Sequence, residues 1–93
     1  MDVREAAHAA KEYLIDLFDG EGITHVGLEE VDFDEVTNEW KITIGFSRPW
    51  DHKNVLTQAL GEGRPARSYK VVRINDESGA VISVKDRVLA AAE

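Results

Sequence analysis

Apolar residues recur at three- and four-residue steps near the start of the chain: Val3, Ala6, Ala7, Ala10, Leu14, Leu17 and Phe18. That period lines one stripe of a helix and predicts a helix over 2–19, with the stripe packed on something apolar. Asp2 is placed to cap it, and Glu5, three residues on, holds the capping-box position. Gly20 follows the last periodic residue and supplies a stop, because glycine takes the left-handed conformation that ends many helices.

The period then falls to two. Val26 and Leu28 alternate, and so do Val31 and Phe33, but the pairs are out of phase. A slip of one residue predicts a bulge near Glu29–Glu30. A turn at about 35–39 leads into the clearest strand. Trp40, Ile42, Ile44 and Phe46 form one face, and Lys41, Thr43, Gly45 and Ser47 form the other. This is the pattern of an antiparallel sheet with one side on the core and one side wet.

Pro49 ends the strand, since proline has no N–H for the ladder. Residues 50–67 form a connection. Within it Val55, Leu56, Ala59 and Leu60 have helical spacing, between a capping Asp51 and a stopping Gly61, and whether 52–60 are helical stays open. Strands at 68–74 and 80–85 flank the turn sequence Asn75-Asp76-Glu77-Ser78-Gly79 and make a hairpin. A helix stripe and a one-faced sheet bury each other. The expected fold is α+β, a two-layer sandwich of one N-terminal helix on a four-stranded antiparallel sheet, in a single domain over 1–93.

Two segments carry a family resemblance. Trp40-Lys41-Ile42-Thr43-Ile44-Gly45-Phe46 is similar to a W-x-V-x-x-x-F strand. Tyr69-Lys70-Val71-Val72-Arg73-Ile74-Asn75-Asp76-Glu77-Ser78-Gly79-Ala80-Val81 is similar to a Y-x-V-x-V-D-x-x-T-G-x-V hairpin. Together they resemble PepSY-type domains over roughly residues 24–85. The resemblance implies a cystatin-like helix against a curved antiparallel sheet. PepSY domains occur in protease propeptides and in exported or membrane-attached proteins, where inhibition or regulation of peptidases has been proposed. This chain departs from that setting. It has an insertion of about twenty residues between the central strands, and neither an export signal nor a protease domain is read in it. The departures weaken the protease expectation and leave the fold expectation standing. The family supplies no catalytic residues to carry over.

Charge and composition narrow the function classes. The chain has 93 residues, a net charge of −7 and no cysteine. Thiolate catalysis, disulfides and cysteine-ligated zinc are excluded. Residues 1–47 carry 3 basic and 12 acidic side chains, a balance of −9, and residues 48–93 carry 8 and 6, a balance of +2. Overall acidity argues against a general nucleic-acid binder, which works by neutralising phosphates. The basic 48–73 stretch leaves a local contact as the weakest of three readings. No apolar run approaches the ~20 residues that span a bilayer, and the start shows no basic and apolar leader. The expectation is a cytoplasmic protein with no membrane partner.

Candidate chemistry is sparse. An EF-hand loop from Asp32 needs glycine at its sixth position and glutamate at its twelfth. Those positions hold Thr37 and Thr43. His8, His25 and His52 lack the i, i+4 pairing of a helical zinc site, and His8 is expected in solvent. No serine sits in a nucleophile-elbow context. Gly61-Glu62-Gly63-Arg64-Pro65-Ala66 is broken by Pro65 and precedes a strand, where a dinucleotide loop opens a helix. No cofactor, metal or catalytic residue is assigned.

Arg48-Pro49-Trp50-Asp51 stands out, because tryptophan and arginine dominate binding hot spots. Trp50 either binds from the connection or folds back over the core edge. Trp40 belongs to the core. The expected function is a non-enzymatic protein–protein interaction module, a regulator or inhibitor of a partner enzyme, with Arg48, Trp50, Asp51, His52 and Tyr69 as candidate binding residues. Pairing of two copies through edges or open faces is also expected. The alternative is a small-molecule or enzymatic cleft between sheet and helix, using His52, Asp51, Arg48 and Tyr69.

Overall fold

The computed structural model describes residues 1–49 and 67–87. Trp50, Asp51, His52 and the whole of 52–60, whose helicity the sequence leaves open, lie outside the described residues.

Helix α1 spans Val3–Leu17. Its start is the expected capping box: the Asp2 side chain accepts from the Glu5 N–H, and the Glu5 side chain accepts from the Asp2 N–H, both at 2.8 Å. Two of the helix's orphan donors are thereby satisfied. The expected stop moves. Phe18 is the C-cap, a 3₁₀ turn follows at Asp19–Glu21, and Gly22, not Gly20, takes the left-handed conformation, at φ 64°. The extra turn consumes Gly20 before the chain has to reverse. A Cβ on Gly22 would lie 3.3 Å from the Pro49 ring, so this turn packs against the end of a strand.

The strands are β1 (Thr24–Asp34), β2 (Glu39–Ser47), β3 (Ser68–Asn75) and β4 (Val81–Asp86). They pair antiparallel in the order β1-β2-β3-β4, each with its sequence neighbours. The helix and the four-stranded antiparallel sheet make the expected α+β arrangement. The expected bulge is present, as a register shift between Leu28 and Glu30. A second irregularity, between Thr24 and Gly27, contains His25 at φ 55°. Histidine is among the residues that visit this region more readily than most.

Both turns are held by their first residue. Asp34 Oδ1 accepts from the N–H of Val36 (2.9 Å) and of Thr37 (3.3 Å). Asn75 Oδ1 accepts from the N–H of Glu77 and of Ser78, both at 2.9 Å. The Asp76 N–H donates to the Asn38 carbonyl at 3.0 Å, which ties the two hairpin tips together.

The core lies between α1 and one face of the sheet. Ala6, Ala10 and Leu14 meet Ile42, Ile44, Val72 and Ile74, all fully buried. Val26, Val31, Trp40, Val81 and Val84 flank them. The helix stripe therefore has the expected phase, but its ends overhang: Val3 and Leu17 are 47% and 51% exposed.

The face away from the helix differs from expectation. Its side chains are polar, yet Thr43 and Ser47 are each only 2% exposed and Gly45 is buried. Long side chains from the flanking strands reach over the short ones of β2. The expected wet surface is a layer of ion pairs.

Candidate functional site

The bulge sets up this second face. Leu28 pairs with Ile44 and Glu30 with Thr43, so Glu29 is the extra residue on β1. The Glu29 carboxylate nonetheless lies over Gly45 on the helix-free face. Two consecutive carboxylates thus share one side of the sheet, which an unbroken strand forbids. Each takes an arginine. Arg67, just before β3, pairs with Glu29 at 3.3 Å. Arg87, just after β4, pairs with Glu30 and approaches the Thr43 hydroxyl at 3.5 Å.

Two more pairs extend the layer towards the hairpin tips. Arg73 donates through Nε to Glu39 at 2.9 Å, and Lys41 meets Asp34 at 3.4 Å. Lys41 and Arg73 are direct cross-strand partners. Like charges there are unfavourable, and the carboxylates of Glu39 and Asp34 offset the repulsion.

Beneath Arg67 the sheet has no side chains. Gly27 and Gly45 are cross-strand partners. A Cβ on Gly45 would come within 2.9 Å of Arg67 Nη2, 2.9 Å of Glu29 Oε2 and 3.0 Å of Tyr69 Cε1. On Gly27 it would meet Arg67 Nη2 at 3.9 Å. The guanidinium lies on a glycine floor, beside the ring of Tyr69, which pairs across from Gly45.

Arg48 belongs to another cluster. Its guanidinium sits 5.3 Å from the ring centroids of both Phe18 and Phe46, on the helix side of the sheet, and it pairs with Glu21 at 3.3 Å. Lys70 lies 5.6 Å from the Phe18 ring and bonds Asp86. The two rings are 5.5 Å apart. Two cations thus cap the aromatic end of the core.

Of the five candidate binding residues, Arg48 and Tyr69 are described. They stand on opposite faces of the sheet, so they do not line one cleft. Sequence reasoning missed Glu29, Glu30, Arg67, Arg73 and Arg87 as a group. The bulge and the two glycines were the available signals, but only the strand register brings their partners over them.

Three carboxyls sit below their ordinary value of 3.8. For Asp34 the causes are first the Val36 and Thr37 N–H groups, then Lys41. For Asp76 the first is the Trp40 indole N–H, 2.8 Å away, followed by the Met1 ammonium at 3.3 Å. For Asp86 it is Lys70. A depressed folded pKa contributes stability that is present above the unfolded value and lost as pH falls through the folded one. Thermal unfolding should therefore be flat from neutrality to about pH 5 and decline from about pH 4 downward. Replacing Asp34 and Asp76 by Asn should flatten that decline. A double variant with an unchanged acid limb would show that these two carboxyls do not set it.

Among the described residues no three His, Asp or Glu side chains are grouped to hold a metal ion, and no helix is long and apolar enough to cross a membrane. Comparison with protein-family models, with curated proteins and with solved structures finds no match to this chain.

Proposed function

We propose that this chain is a non-enzymatic protein–protein interaction module, a regulator or inhibitor of a partner enzyme, and that the helix-free face of its sheet is the contact surface. The observation that carries the reading is the convergence of Arg67, Arg73, Arg87 and Tyr69 on that one face. Arginine and tyrosine are enriched among residues that dominate interfaces, and β3 holds Tyr69 and Arg73 at low entropic cost. The exposed ion pairs of Arg67 and Arg87 are each worth only about 0–1 kcal/mol, so a partner can exchange them cheaply.

The reading keeps the resemblance to PepSY-type domains as its frame, and a cytoplasmic setting fits a chain without cysteine. Self-pairing, if it accompanies partner binding, is better served by this face than by the edges. Among the described residues β1 and β4 are the edge strands, and both are irregular, at Thr24/Gly27 and Leu28/Glu30 and opposite Arg73/Ile74. Bulged edges resist strand addition.

Tagged protein run through its native lysate should recover one stoichiometric partner. Tyr69→Ala combined with Arg87→Ala should cut that recovery at least tenfold, with the melting temperature within a few degrees of the parent. Undiminished recovery by the double variant would remove this face from the contact. Recovery of the chain alone would remove the partner.

A further inference from the structure

We propose that the Gly27–Gly45 floor is a binding site for a guanidinium group, an arginine side chain presented by a partner, and that Arg67 occupies it as an internal stand-in. This rests on the interaction-module reading and names the chemistry of the segment recognised.

Interior glycine weakens a strand, and often marks a place where another group must come close. Here two glycines face each other across β1 and β2. What lies on them is a planar cation. The site has the parts that such a cation needs: a flat peptide floor without Cβ atoms, a carboxylate from Glu29 aimed by the bulge, and the Tyr69 ring at the side. A guanidinium is planar, weakly hydrated and suited to stacking, whereas an ammonium is a compact, strongly hydrated point charge. The floor therefore selects arginine over lysine.

Arg67 is a poor permanent tenant. Its contact with Glu29 is 3.3 Å, longer than the ~2.7–2.9 Å of a good charge-assisted bond. It also stands one residue before the ladder, whose first β3 pair is Ser68 with Phe46. Its side chain can swing away without breaking a strand hydrogen bond. An incoming arginine that makes two bonds to Glu29 would displace it, so Arg67 raises the threshold for binding.

The test uses the full chain and N-acetyl-arginine amide as probe, with N-acetyl-lysine amide as control, read by the amide resonances of Gly27 and Gly45. In Arg67→Ala the arginine probe should give saturable shifts at both glycines, with an apparent affinity at least tenfold above that of the parent chain. The lysine probe should give none. Adding Glu29→Gln or Gly45→Ala to Arg67→Ala should abolish the response. Arg67→Gln serves as a second opened variant should Arg67→Ala fold poorly. No shift in a folded opened variant, equal response to both probes, or equal affinity in the parent would overturn the proposal. Partner recovery from lysate separates the two readings. A recovered partner with a silent probe removes the guanidinium site alone. A responding probe without a partner keeps the site and removes the interaction module.

Discussion

Phe46→Ala should unfold more of this protein than other single truncations on β2. The ring is fully buried and packs 5.5 Å from Phe18. Truncating a buried phenylalanine typically costs about 3–5 kcal/mol through lost transfer and the cavity left behind. A second loss adds to it. Arg48 rests over both rings, and Lys70 over Phe18. Without the Phe46 ring the Arg48 guanidinium faces a void on one side. A domain of this size has on the order of 5–14 kcal/mol in total, so the variant should melt roughly 15–30 °C lower. Phe46→Leu keeps most of the volume and should lose much less. Urea denaturation measures both. A Phe46→Ala cost below about 1 kcal/mol would mean that the aromatic end of the core is not the packed unit described above.

Ala10→Leu should also be damaging, in the opposite sense. Ala6 and Ala10 are fully buried where α1 meets the sheet. Small side chains there let the helix backbone approach the strands closely. A leucine must push the helix out or take a poor rotamer, and overpacking of this kind costs about 1–3 kcal/mol. Leucine and alanine have similar helix propensity, so the loss isolates the packing. Ala10→Ser, nearly the same size, should cost less in the same denaturation series. If Ala10→Leu matched the parent's urea midpoint, the seam between helix and sheet would have room that the structure denies it.

Much of this architecture is legible in the sequence, and the reasons are local. The capping box needs only Asp2 and Glu5 three residues apart. The bulge needs only the slipped phase between Leu28 and Val31. The apolar face of β2 needs only its period of two. The misses share a different cause. Gly20 resembles a helix stop, but the 3₁₀ turn at Asp19–Glu21 carries the chain on to Gly22. Thr43, Gly45 and Ser47 read as wet because two carry short polar side chains and the third carries none. Their burial comes from arms that start elsewhere in the chain, such as Arg87 reaching Glu30, 57 residues away. Arg48 and Tyr69 read as companions on either side of the connection, and the pleat sends them to opposite faces. Periodicity assigns a face within one strand. It does not say which distant residue will cover that face.

The neighbour-only strand order also has a consequence for how the chain folds. The helix and each hairpin form from contacts close in sequence. The β2–β3 ladder is the exception, because Phe46 and Ser68 meet only after the intervening chain is closed. Closure entropy must be met before those contacts repay it, and such non-local steps set folding rates. The late event should be docking of the β3–β4 hairpin onto a preformed helix and first hairpin. Mutations in the Asp34 turn should then mainly change how fast the protein folds, while those at Val72 and Ile74 should change folding less and unfolding more. High transition-state involvement at Val72 with none at Asp34 would reverse the order.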